Sequence, residues 1–155
     1  MQNVRFPIRE YVLAAGTGGA LYAYLEILWR GYTHWSMVLT GALCAAMLYR
    51  ICRIGVPLVM RCLIGTVCIT LTELAVGCVV NLWWKLEVWD YSSMPFHLWG
   101  QICPAYAALW FCLCPPAFWL CGQIRKVCGT PDTAGMPDDT GNPQNPNSLG
   151  GQTPM

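Results

Sequence analysis

The chain has 155 residues, of which 55% are hydrophobic and only 11% charged, and its net charge is +1. Ordinary soluble domains carry about 25% charged residues, so this composition excludes a water-soluble globular domain and describes one small integral membrane unit. It also argues against a general nucleic-acid binder, because no concentrated basic face remains outside the apolar runs.

Residues 1–10 form a short N-terminal segment containing Arg5 and Arg9. The first apolar run covers about Tyr11–Trp29. In Leu21-Tyr22-Ala23, leucine stands where signal peptidase needs a small residue, so the run is read as a retained membrane helix. The second run covers about Tyr32–Tyr49, the third about Cys62–Trp84 and the fourth about Leu98–Leu120. Each approaches the roughly 20 apolar residues that a bilayer-crossing helix needs. The expected fold is all-α and polytopic, with four transmembrane helices arranged as two hairpins within residues 11–128. From Gly129 to Met155 the chain holds five prolines and almost no apolar residues. Such a tail buries too little surface to offset its ordering entropy and is expected to be disordered in the cytoplasm.

Charge placement predicts the orientation. Arg5 and Arg9 precede the first span, Arg50, Arg53 and Arg61 separate the second and third, and Arg125 and Lys126 follow the fourth. The opposite side holds Arg30 and Lys85 beside Glu87 and Asp90. The positive-inside bias then puts both termini in the cytoplasm and the two aromatic connections outside. Trp29, Trp35, Trp83, Trp84, Trp89 and Trp99 gather on that outer side, as expected for rings at headgroup level.

The ten cysteines lie mostly inside apolar runs, without Cys-x-x-Cys or zinc spacing, and read as polarizable packing residues rather than a metal site. No cofactor is expected. Glu26, Ser36-Met37 and Gly41 in the first half are echoed by Glu73, Ser93-Met94 and Gly100 in the second. These matches suggest two hairpins related as a parallel repeat; convergent loop composition would produce the same few matches.

Polar residues inside the apolar runs carry the functional signal. At about 100° per residue, Thr66, Thr70, Glu73, Gly77 and Asn81 fall within roughly 80° of one another on one helix face. Ala15, Gly19, Ala23 and Glu26 share a face of the first helix, small residues beneath a carboxylate. An acid near mid-span is costly, so Glu73 either meets a ligand or clasps neighbouring helices. Glu26 and Arg30, one turn apart, are set for an ion pair. His34 and His97, one in each outer connection, read either as plain interfacial residues or as a pair able to sense pH near Asp90.

At these residues the chain resembles a known family. The stretch Leu25-Glu26-Ile27-Leu28-Trp29-Arg30-Gly31-Tyr32-Thr33-His34-Trp35-Ser36-Met37, with Gly41, resembles the first signature of the putative ABC-transporter type IV family, also called CmpB-like. Trp89-Asp90-Tyr91-Ser92, Met94-Pro95, Gly100-Gln101-Ile102-Cys103 and Trp110 are similar to its second. The resemblance covers about residues 12–120. His97 departs from the family's usual asparagine, and Ala107 from its common serine or threonine. The resemblance implies a bacterial multipass membrane protein, permease-like and without an established substrate.

The chain has no Gly-x-x-x-x-Gly-Lys-Ser/Thr phosphate loop, so ATP hydrolysis would need a separate ATPase subunit. Four spans make a small pathway, so a second copy or other membrane subunits are expected beside lipid. The functional expectation is an inner-membrane transport protein with an outward polar site for a cation, a solute or a lipid head group. Glu73 and Asn81 would form its floor, Glu26 and Arg30 one wall, and Asp90, Tyr91, Ser92, His97 and Gln101 the cap, with His34 beside it. Two other classes remain open. One is a lipid-modifying enzyme using Asp90 or Glu73 as base and His97 as acid, although no nucleophile motif supports catalysis. The other is a non-transporting scaffold or accessory subunit.

Overall fold

A computed structural model of the chain describes residues 8–128. It consists of α1 (Ile8–Arg30), α2 (Trp35–Ile51), α3 (Leu58–Gly77) and α4 (Pro104–Cys128), with a π-helical turn, Cys78–Trp83, prolonging α3. Among the described residues there is no named strand, only an isolated Leu98–Ile102 bridge. The fold is therefore all-helical, as composition and hydropathy predict. The expected tail from Gly129 and the residues before Ile8 lie outside the described residues.

Local sequence sets most helix ends. Glu10 in the first turn of α1, Arg30 in its last, and Arg125 and Lys126 in the last turn of α4 complement the helix dipoles. Gly31, at φ 78°, stops α1. His34, in extended conformation, caps α2 by accepting the Ser36 N–H on Nδ1 at 3.3 Å. The second helix thus starts at Trp35 rather than Tyr32. The fourth starts at Pro104 rather than Leu98, because Trp99 (φ 51°) and Gly100 (φ 69°) turn left-handed and the Leu98–Ile102 bridge closes the turn. It runs on to Cys128 instead of ending near Leu120.

Ile8–Arg30, Leu58–Trp83 and Pro104–Cys128, of 23, 26 and 25 residues, are long and apolar enough to cross a membrane. The apolar α2 has 17 residues, about 25 Å at 1.5 Å per residue, slightly short of a hydrocarbon core about 30 Å thick. Of the four expected spans, three are helices long and apolar enough to cross a membrane, and the remaining one, α2, is a shorter apolar helix.

The helices alternate in direction. Arg9, Arg50, Arg53, Arg61, Arg125 and Lys126 consequently lie at one end, while Arg30, Lys85, Glu87 and Asp90 lie at the other. The basic end is packed around Cys44, Leu48, Tyr49, Cys62, Ile69, Cys114, Phe118 and Cys121. All ten cysteines are free thiols, and those in this cluster act as packing groups. At the opposite end Met37, Val80, Val88 and Trp89 form a smaller cluster. Trp29 (80% exposed), Trp83 (79%) and Phe96 (88%) point outward there. Trp89 departs from the expected interfacial belt, being only 5% exposed.

The closest packing joins α1 to α2. Gly41 lies directly against Tyr22, so a β-carbon at Gly41 would collide with the tyrosine's Cβ. Gly41→Ala is expected to force the two helices apart and to destabilise the fold by about 1–3 kcal/mol, the usual range for overpacking. Thermal unfolding in detergent measures this, and an unchanged midpoint would show that α1 and α2 are free to separate.

The two hairpins differ where the repeat would need them alike. Residues 31–34 connect α1 to α2, whereas residues 84–103 connect the end of the π-turn to α4. Gly41 is a buried packing position inside α2; Gly100 is a left-handed turn residue outside any helix. The matches that suggested a repeat do not occupy equivalent places, because the second connection is built around its own polar lock.

Candidate functional site

Glu73 lies in α3, buried to 2% exposure. Two neutral donors from other helices hold its carboxyl group. Tyr22 of α1 donates its O–H to Oε1 at 3.2 Å, and Trp110 of α4 donates its indole N–H to Oε2 at 2.8 Å. The two rings stack at 5.7 Å with an interplanar angle of 25°. No Lys or Arg among the described residues pairs with Glu73. One turn earlier on the stripe, the buried Thr70 hydroxyl has no hydrogen-bond partner among the described residues. Thr66 returns its hydroxyl to its own helix at Cys62 O, 2.8 Å away.

Glu26 and Arg30 form the expected i,i+4 ion pair at 3.3 Å. Thr33 also donates to Glu26 at 2.9 Å. Arg30 reaches further, donating to the Val88 carbonyl at 2.7 Å and lying 4.8 Å above the Tyr32 ring. It thereby ties the end of α1 to the long second connection. A charge-assisted bond to a carbonyl is stronger than a neutral one, so Arg30 also has a supporting role.

Asn81 is fully engaged. Its Nδ2 donates to Trp89 O at 2.9 Å and to Gln101 Oε1 at 2.7 Å, and its Oδ1 accepts the Val88 N–H at 2.8 Å. Gln101 completes the lock by donating to Trp99 O at 3.0 Å, while its carbonyl accepts the Trp89 indole N–H at 3.1 Å. Gly77 makes room for this arrangement, since a β-carbon there would run into Gln101 Oε1 and the Trp89 ring. The lock holds an unusual backbone. The π-turn is followed by Lys85, Glu87, Phe96 and Trp99, all non-glycine residues at φ between 48° and 59°, a conformation that disfavours L-residues by roughly 1–2 kcal/mol each. Asn81 and Gln101 were expected to face a ligand, but their amides are spent on the connection itself.

Asp90, Ser92 and His97 lie on the exposed surface of that connection. Ser92 donates its O–H (2.7 Å) and its N–H (2.8 Å) to Asp90, and these bonds hold the carboxyl below the usual carboxylate range. Ser92→Ala should raise the Asp90 titration towards its ordinary value, read from the side-chain carboxyl carbon by NMR; an unmoved titration would show that the bond does not persist in solution. A depressed carboxylate stabilises the turn above its unfolded value, and that contribution disappears as pH falls through its folded value. His97 accepts the Gly100 N–H on Nδ1 at 3.1 Å. Both histidines thus serve their own turns, His34 as a helix cap and His97 within a loop. Tyr91 stacks on Tyr106 at 4.3 Å. Burial first, then the Glu73 carboxyl, pushes its phenol well above the ordinary range.

An apolar cleft of about 240 Å³ runs beside the Tyr22–Trp110 pair between α1 and α4, with α2 and α3 at its back. Leu21, Leu25, Leu113, Pro116 and Ala117 are among its lining residues.

The model of the putative ABC-transporter type IV family matches residues 21–128, more than half of the chain. The chain belongs to this family. The match contains every candidate residue from Glu26 to Gln101, together with Tyr22 and Trp110. Searches of curated proteins and of solved structures return no match. For this family member, length, apolarity and family together describe a membrane protein of a putative transport system.

Sequence reasoning missed the partners of Glu73. Tyr22 shares the face that carries Ala15, Gly19 and Glu26, so its spacing was a usable signal. Trp110 stands in the second family signature, which marks it without giving its role. A second buried acid was also missed: Glu10, 2% exposed, accepts a hydrogen bond from Tyr49 at the basic end.

Proposed function

We propose that this chain is the permease-like membrane subunit of a bacterial inner-membrane transport system, with both termini cytoplasmic, and that Glu73 is its working acid. The observation that carries the reading is a carboxyl buried in the longest apolar helix segment, held by no cation and by two neutral donors whose rings line an open cleft. A purely structural clasp has no need of the open space. Intramembrane acids are rare because they are costly, and where retained they mark substrate or ion pathways. The Arg and Lys residues at one end and the aromatic rings at the other support the orientation.

In this reading the site is smaller than the sequence implied. Glu73, Tyr22, Trp110 and Tyr91 form its centre, and the Glu26–Arg30 pair borders it. Asn81 and Gln101 shape the connection above it, and Asp90, Ser92, His34 and His97 serve the outer turns. A separate subunit with a phosphate loop supplies ATP hydrolysis, and lipid or a further membrane subunit covers the outer helix faces.

The test uses the full chain reconstituted on a solid-supported membrane and exposed to concentration jumps of sodium, potassium, protons, choline and an alkyltrimethylammonium ion. At least one jump is expected to give a charge displacement in the wild type that disappears in Glu73→Gln, with membrane insertion unchanged. A displacement that persists in Glu73→Gln removes Glu73 from the mechanism. No displacement for any cation would replace transport by the scaffold role, which the fully satisfied Asn81–Gln101 lock favours.

A further inference from the structure

We propose that the cleft between α1 and α4 binds a lipophilic organic cation, its apolar part between the two helices and its charged end against the rings of Tyr22 and Trp110, next to Glu73. This inference rests on the reading of Glu73 as the working acid and names the class of ligand that acid receives.

Three observations converge on that class. The first is size and lining. A volume of about 240 Å³ bounded by Leu21, Leu25, Leu113 and Ala117 exceeds the roughly 150 Å³ apolar cavity known to hold benzene. It is still below the roughly 300–1,000 Å³ of a pocket for a drug-sized ligand. It suits one short alkyl or aryl group and offers little to a sugar, a nucleotide or a bare metal ion. The second is charge. Glu26 already has Arg30 as its counter-ion, whereas Glu73 has only a phenol and an indole. A cation in the cleft would supply the missing countercharge without displacing a basic side chain.

The third is the orientation of the rings. Tyr22 and Trp110 line the cleft, and their polar edges point away from it to the carboxyl oxygens. The two rings stack on each other at 5.7 Å, so a ligand meets only the ring surface that each leaves uncovered towards the cleft, while their donors stay occupied. Trp and Tyr faces attract ammonium groups within about 6 Å of the ring centroid, most strongly where water is excluded. Donation to a carboxylate makes each ring more electron-rich, so ring and acid act in the same direction on a cation lying against the ring faces. An anion would meet repulsion, and a neutral alkyl compound would gain only the apolar contact.

The probe is octyltrimethylammonium, added to the full chain in lipid nanodiscs, with binding followed at the indole ¹⁵N–¹H resonance of Trp110. A saturable shift is expected. Tetramethylammonium lacks the tail, octanol lacks the charge and octyl sulfate has the wrong sign, so each should bind at least tenfold more weakly. Glu73→Gln should weaken octyltrimethylammonium at least tenfold, equivalent to about 1.4 kcal/mol. Ala117→Phe, which fills the cleft away from the carboxyl, should do the same while leaving the other tryptophan resonances unshifted. Equal binding of octanol or octyl sulfate would overturn the assignment, as would unchanged affinity in Ala117→Phe. If octyltrimethylammonium does not bind the wild type but Glu73→Gln still abolishes charge displacement, only the ligand class fails. Unchanged affinity in Glu73→Gln, with charge displacement also retained, would sink both.

Discussion

Replacement of Glu73 by leucine is expected to destabilise the protein by about 2–5 kcal/mol, because it leaves two buried donors without an acceptor. Each unsatisfied donor costs roughly 1–3 kcal/mol, and both the Tyr22 O–H and the Trp110 N–H are directed at this one carboxyl group. Glu73→Gln keeps one carbonyl oxygen for one of them and should lose much less. The test of this account is a double-mutant cycle. With Tyr22→Phe and Trp110→Phe introduced there are no orphaned donors, so adding Glu73→Leu should shift the thermal midpoint little. An equal loss in both backgrounds would contradict the hydrogen-bond account. The same apolar triple variant separates the two roles of the acid: a pure clasp tolerates it, whereas a working acid loses ligand binding however well the bundle survives.

The second large effect is expected at Asn81. Asn81→Leu removes three hydrogen bonds and strands Val88 N–H, Trp89 O and Gln101 Oε1, a loss of about 3–5 kcal/mol at about 1–3 kcal/mol per orphaned group, less what water recovers. The damage should be local. Residues 84–103 should lose protection in hydrogen-exchange mass spectrometry, while the basic-end core around Cys114 and Phe118 keeps its own. Asn81→Asp is the sharper variant. It still accepts from Val88 N–H, but it turns an acceptor towards Trp89 O and Gln101 Oε1 where a donor is needed, and should perturb the connection about as much as leucine does. Retained protection in Asn81→Asp would mean that Nδ2 contributes nothing to the lock.

Several parts of this architecture were legible in the sequence because they depend on residues close together in the chain. The Glu26–Arg30 pair follows from one helical turn, and the apolar runs are helices because their backbone bonds close within each run. The limits of the fourth helix were not legible. Leu98, Trp99, Ile102 and Cys103 are apolar enough to extend it, yet a left-handed turn takes them out of the helix. Hydropathy reports how a residue partitions and carries no information about φ. Trp89 was misplaced for a related reason: its position close to Glu87 and Asp90 suits an interfacial ring, but Gly77 opens a slot that accepts it.

The sequence by itself determined the solvent, the helical class, the accumulation of positive charge at one end and the presence of costly polar groups inside apolar runs. Those properties are sums over neighbouring residues. Only the tertiary structure decided what each polar group does. Glu73 meets Tyr22 across 51 residues and Trp110 across 37, while Asn81 is consumed by a loop only 7 to 20 residues away. In the sequence these two residues looked alike, as polar side chains on one stripe of one helix. Hydrogen-bond partnership separates them, because it depends on which backbone and side-chain donors arrive from elsewhere in the chain. It leaves the amide as a structural lock and the acid, with its two aromatic donors and the cleft beside them, as the place where chemistry can occur.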